Sequence, residues 1–316
     1  MRILRSPKVV TGLALLFVFL LLALFGPMLA PHSVDWQANR SSGIPLPPSG
    51  KFWLGTDQSQ HDLFSRLLAG GRDPLLISFL AGVLASMLSV LVGVTAGFVG
   101  GLTDDLLSAL TNIFLALPGL LILMVVMKPL PPDETANPFL IGSVIALTAW
   151  AWGARVLRAQ TLALRGQDYV ESARVIGERR WRIILFEILP NLLPILASSF
   201  IFTVIYGIGT YTALSWLGVI NPASVTWGTV LNEAQASGAA SSGYWWWYLP
   251  PALAVALFGM SLALINFGID EIINPRLTSA RTGRARGVTF RLGHTPVLRQ
   301  ASAPAIESAL TKGAAQ

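Results

Sequence analysis

Cysteine is absent from the 316 residues, which removes disulfide frameworks, thiolate nucleophiles and cysteine metal sites together. Charge is scarce as well: 12% of residues are charged, where a soluble domain carries about 25%. A soluble domain of any size is thereby excluded. The three histidines, His32, His61 and His294, stand far apart without ligand spacing, so no metal site is expected. No Asp, Glu, Lys or Arg occurs in residues 188–232, or again in 234–269. An ion-coupled carrier keeps an ionisable group at membrane depth to carry the coupling charge, because such groups are costly there. Uphill transport by this chain therefore has to draw its energy from outside the membrane. The acid pairs Asp104 with Asp105, Asp133 with Glu134, and Asp270 with Glu271 each sit at the end of an apolar run without a partner in the local sequence. They read as solvated loop acids, not as the converging acid, base and nucleophile of a membrane enzyme.

What the sequence has is apolar length. Hydrophobic residues make up 53% of the chain and mean hydropathy is +0.62. They come in runs, as surfaces do that face lipid or other spans all round. Six runs, at 9–30, 74–99, 106–127, 139–157, 192–214 and 249–268, are each about long enough to cross a bilayer as a helix. The predicted class is all-α, a polytopic membrane protein of six transmembrane helices. The first run follows Arg2, Arg5 and Lys8, exceeds the apolar stretch of a cleaved signal peptide, and carries Met28 where a small residue would precede cleavage. It is expected to be an anchor.

Residues 1–30 then form a tail and first span, 31–73 a polar extracytoplasmic segment, 74–277 a five-helix core, and 278–316 a basic tail suited to anionic lipid. Of the 22 basic residues, all but Arg40, Lys51, Arg66, Arg72 and Lys128 fall in the N-terminal tail, the 155–187 loop or the C-terminal tail. The positive-inside rule places that loop and both termini in the cytoplasm. The net charge of +6 follows this asymmetry, and no nucleic-acid partner is expected. Tyr244 to Tyr248 reads YWWWY, an aromatic belt for the headgroup level. The uncharged stretch 214–232 is too long to be span alone and is expected to cap the outer mouth, with Val219 and Thr226 open to solvent.

The most informative loop is residues 167–191, QDYVESARVIGERRWRIILFEILPN. Asp168 with Glu171 three residues on is a capping-box pattern, predicting a helix over 169–176, and Gly177 suits a left-handed C-cap. About two turns of helix are too few to be stable alone in water, so a partner surface is needed. Beyond it, Trp181, Ile184, Leu185 and Ile188 form an apolar stripe at helical spacing. On these residues alone, a helix pair lying at the headgroups is an equal reading.

The order Glu171-Ser172-Ala173, Gly177 and Ile188-Leu189-Pro190 resembles the Glu-Ala-Ala loop of bacterial binding-protein-dependent ABC importers. Residues 53–72, 97–121, 213–228 and 268–277 resemble, in order, segments of the C-type permease of the dipeptide and oligopeptide subfamily. Departures are Ser172 for alanine, Glu187 for histidine, Gln60 and His61 for Gly-Arg, and Ala109 and Asn112 for Arg and Asp. The last two stand at i and i+3, so both members of a possible ion pair are gone together.

The resemblance implies an ABC type I importer permease fold that moves dipeptides or oligopeptides, and is not itself catalytic. Its implied partners are a homologous second permease, two ATP-binding subunits, an extracytoplasmic substrate-binding protein and membrane lipid. No cofactor is bound by this chain; ATP and Mg belong to the partner subunits. Asp168, Tyr169, Glu171, Ser172, Ala173, Arg174, Gly177 and Pro190 are the expected ATPase-coupling residues, and Trp216, Leu217, Gly218, Trp227 and Gly228 the expected outer-mouth or translocation residues. Nickel chelate or another small solute is the alternative cargo, and a secondary transporter the alternative class. Gly93, Gly97, Gly207 and Gly209 are expected to let helices approach closely.

Overall fold

The computed structural model describes residues 7–38, 43–131, 133–221 and 223–273, with residues 270–273 described by backbone alone. Its regular secondary structure is helical, with two isolated β-bridges and no strand among the described residues. The expected segment 278–316 lies outside them.

Helix α1 (Pro7–Leu29) crosses alone, and a polar segment then leads to α2 (Leu63–Ala69). Asp62 starts α2 by accepting the amides of Phe64 and Ser65. Helix α3 (Arg72–Ser89) runs through a π-turn, Val90–Val94, into α4 (Thr95–Val99). The reversal that follows is tighter than the expected 100–105 turn, because Gly100 and Gly101 both hold positive φ, a region open to glycine without a Cβ penalty. Asp104 and Asp105 thereby fall inside α5 (Gly101–Ala116).

The expected third span, 106–127, is broken. Pro118 disfavours a helical conformation at the residue before it, and Leu117 is extended, so α5 and α6 (Gly119–Met127) meet at 82°. Among the described residues there are therefore five helical stretches of crossing length, or six spans with the bent pair as one.

Helix α7 (Pro138–Leu164) begins on Asn137, whose carboxamide accepts the amides of Phe139 and Leu140, with Pro138 where its missing N–H costs nothing. Its 27 residues span about 40 Å, against a hydrocarbon core of about 30 Å. Arg155 and Arg158 thus lie on α7 and not in a loop. After α8 (Asp168–Val175), α9 (Arg180–Arg182) continues through a second π-turn, Ile183–Ile188, into α10 (Leu189–Trp216). Helix α11 (Trp227–Ala236) is short, and α12 (Trp245–Ile273) returns across the bundle.

Small residues set the spacing, as expected of helices that meet in lipid. A Cβ on Gly93 would run into the Ala154 carbonyl, one on Gly97 into Thr161 and the Arg158 carbonyl, and one on Gly207 would press on Ser78 at 3.1 Å. Gly209 faces open space, so the expectation fails there. Gly12 lies against Ser261 and Gly268 against Val9, which makes α1 and α12 antiparallel partners; Gly26 lies against Leu68 of α2. Because α3 leads away from α2, the α4–α5 reversal, α8, the start of α1 and the end of α12 share one end of the bundle. It is called here the loop end, and the end with α2 and α11 the opposite end.

Candidate functional site

At the loop end, α8 starts one residue earlier than its spacing predicts. Gln167 takes the extended N-cap conformation without a side-chain bond to the helix amides, and its carbonyl accepts from Val170 and Glu171 at 2.9 and 3.1 Å. The predicted capping box does not form, since Asp168 is already inside the helix. Asp168 and Glu171 place their charge in the first turn instead, where the helix dipole favours anions. The other end is as predicted: Gly177, at φ +87°, donates to the Arg174 carbonyl at 3.0 Å, and Glu178 donates to that of Ala173 at 3.1 Å, a Schellman motif.

One side chain anchors the helix. Val170 is fully buried among Phe98, Leu157, Ile183, Ile188 and Leu192, with Ala173 packed at the margin. Asp168, Tyr169, Glu171, Ser172 and Arg174 are exposed, and the apolar Val175 and Ile176 stand 88% and 80% exposed at the helix end. Tyr169 reaches Asn191 at 3.4 Å, beside Pro190 in the first turn of α10. The predicted apolar stripe is displaced: in the π-turn the buried pair is Ile183 and Ile188, five apart, while Trp181 and Leu185 are exposed.

Arginines surround this end. The Arg174 guanidinium lies 5.2 Å from the centre of the Phe98 ring, and that of Arg165 donates to the Gly97 carbonyl at 3.0 Å. A cavity of about 630 Å³ opens between Phe98, Arg165, Glu171, Arg174, Glu178 and Arg180. Asp104 is no lone loop acid, for Arg158 grips it with Nε at 2.5 Å and Nη2 at 2.8 Å, a pairing 54 residues long in sequence.

The opposite end is a clamp of buried charge that the sequence reading missed. Arg66 donates through Nη1 to Asp57 at 2.7 Å and through Nη2 to Glu233 of α11 at 2.8 Å, with a second contact from Nη1 to Glu233. His61 pairs with Asp57 at 2.9 Å, and His32 with Asp62 at 3.2 Å. The available signal was Glu233, the single ionisable residue interrupting two long uncharged stretches.

The outer-mouth candidates divide. Gly218 ends α10 in a second Schellman turn, with Trp216 and Leu217 exposed beside it. Trp227 is buried, donating from its indole to the Leu67 carbonyl at 2.9 Å and meeting Phe19 edge-on; Gly228 lies against Thr212 and Ser215. Thr226 is fully buried in a capping box with Thr229, which corrects the expectation that it is open to solvent. Trp247 is also buried, against Leu63 and Val230, so the aromatic run is partly core.

The model of the family described as "Binding-protein-dependent transport system inner membrane component" matches residues 89–279, and that described as "N-terminal TM domain of oligopeptide transport permease C" matches 1–48. The chain is similar to the oligopeptide transport system permease protein OppC of Bacillus subtilis, at 29% identity over 86% of this chain and 87% of that one. It is similar also to the probable D,D-dipeptide transport system permease protein DdpC of Escherichia coli, at 31% identity over 86% and 88% of the two chains. A solved chain of the MetNI methionine ABC transporter in an inward-facing conformation shares the fold, with a TM-score of 0.51 and 20% identity over 66% of this chain and 95% of that one.

Proposed function

The chain belongs to the family of binding-protein-dependent transport system inner membrane components, and from that premise we propose that α8 is the helix through which an ATP-hydrolysing partner drives transport. The protein is a multi-pass inner-membrane permease component of an ABC importer. The cargo is a dipeptide or oligopeptide, as the names of its relatives suggest. The loop end faces the cytoplasm, in keeping with the positive-inside count. A second, homologous permease completes the path, two ATP-binding subunits carry ATP and Mg, and an extracytoplasmic binding protein delivers the solute. This chain performs no catalysis of its own.

The observation that supports this reading best is the exposure of α8. A helix of 8 residues is held by one buried side chain yet presents Val175 and Ile176 almost fully to solvent beyond the membrane-spanning part of α7. Apolar groups so placed, on a helix too short to persist alone, suit a groove on another protein. The left-handed turn at Gly177 sends the chain away sharply, leaving the helix end free to insert.

The test is purification of the tagged chain in mild detergent, with identification of what accompanies it and measurement of ATP hydrolysis. ATP-binding subunits and a second permease should co-purify with vanadate-sensitive hydrolysis. Recovery of the chain alone, under conditions that keep known complexes together, would leave α8 as a helix on the lipid surface.

A further inference from the structure

Val170 sits where several elements converge. It shares one buried cluster, its socket, with Phe98 of α4, Leu157 of α7, Ile183 and Ile188 of the second π-turn, and Leu192 of α10. Val94 of the first π-turn belongs to the same cluster, and Val90 packs against it. Among the described residues only these two segments are π-helical; α8 packs directly on the second, and the first joins the same buried cluster through Val94. A π-turn accommodates an inserted residue by bonding i→i+5 within an otherwise i→i+4 ladder, so a shift in bonding register absorbs displacement that an α-helix would resist. The side chain that fills the socket is β-branched and stiff at χ1, and it meets close-packed neighbours that transmit strain.

We propose that Val170 is the positioning residue through which movement of α8 reaches the spans, with the π-turns at 90–94 and 183–188 as the compliant joint. A thrust on α8 presses Val170 against Ile183 and Ile188, which lead directly into α10, and through the shared cluster against Val94 in the span built from α3 and α4. The proposal rests on the reading of α8 as the docking helix, and adds which atom group carries the motion and where the helices yield.

The test uses the full chain in its reconstituted complex. Uptake of an isotope-labelled tryptic digest, presented with the system's own binding protein, is divided by ATP hydrolysed. Val170→Ala should lower that ratio by about ten-fold while hydrolysis continues, and Val170→Ile should restore it. An unchanged ratio in Val170→Ala would overturn the proposal. Should that variant fail to assemble, hydrogen exchange in the wild-type complex decides: protection at 90–94 and 183–188 should change together between the nucleotide-free and vanadate-trapped states, and constant protection at both overturns the joint. Failure of the docking reading looks different, because the chain then purifies without an ATP-hydrolysing subunit.

Discussion

The two ends of this bundle are held in opposite ways. At the opposite end, Arg66 is 5% exposed and ties Asp57 to Glu233, two acids far apart in sequence, while His32 and His61 back the neighbouring carboxylates. At the loop end, α8 buries one valine, with Ala173 at its margin, Arg174 over the Phe98 ring and a 3.4 Å contact from Tyr169, and its surrounding pairs, Glu178 with Arg182 and Asp104 with Arg158, are partly open to solvent. Buried charges persist only when paired, and removing one partner is costly; exposed pairs hold weakly. Stiffness is thus placed where α1, α2 and α11 meet, and compliance where a driving partner would act.

The largest expected effect falls on the loop end. Gly177→Arg should abolish uptake while the protein still reaches the membrane, read by transport and by membrane fractionation. A Cβ at this position meets nothing within 4 Å, so the loss would come from the left-handed backbone, strained by about 1–2 kcal/mol in other residues, and from blocked docking. Normal uptake would erase the contrast between the two ends.

The clamp should respond in stability. Arg66→Met leaves the buried Asp57 with His61 as its remaining side-chain partner and should cost about 3 kcal/mol, seen as a lower melting temperature in detergent. A mutant that melts normally but transports poorly would mean that the opposite end moves. A smaller effect sharpens the role of close helix approach: Gly93→Ala should cost about 1–3 kcal/mol by driving α7 away, whereas Gly209→Ala should leave the melt unchanged. Smallest of all, Asp104→Asn should cost about 1 kcal/mol, because Arg158 keeps part of its side chain in solvent and Asn still accepts a hydrogen bond from it.

Features written in nearby residues were legible. Apolar runs gave the helical membrane class, and Gly177 gave the end of α8, since both depend on a few consecutive positions. The capping box at Asp168 was misread because whether a polar residue caps or enters a helix depends on the backbone of the residue before it, here Gln167. The stripe through Trp181 failed because a π-turn bonds i→i+5 and lengthens the period beyond 3.6, which no composition announces. The bend at Leu117 had its signal in Pro118, hidden inside an unbroken apolar run. The clamp was out of reach, since Arg66 and Glu233 lie 167 residues apart and only the fold brings them together.

That separation also sets a timetable. Asp57 and Arg66 leave the ribosome together and are able to pair at once, but Glu233 follows 167 residues later, which at about 5–20 residues per second is a delay on the order of ten to thirty seconds. Through that interval four spans, the bent pair counted as one, are made and inserted while the guanidinium has one of its two acids. Synthesis itself therefore dictates the order of closure: the α2 segment waits half-locked, and the arrival of α11 turns the key.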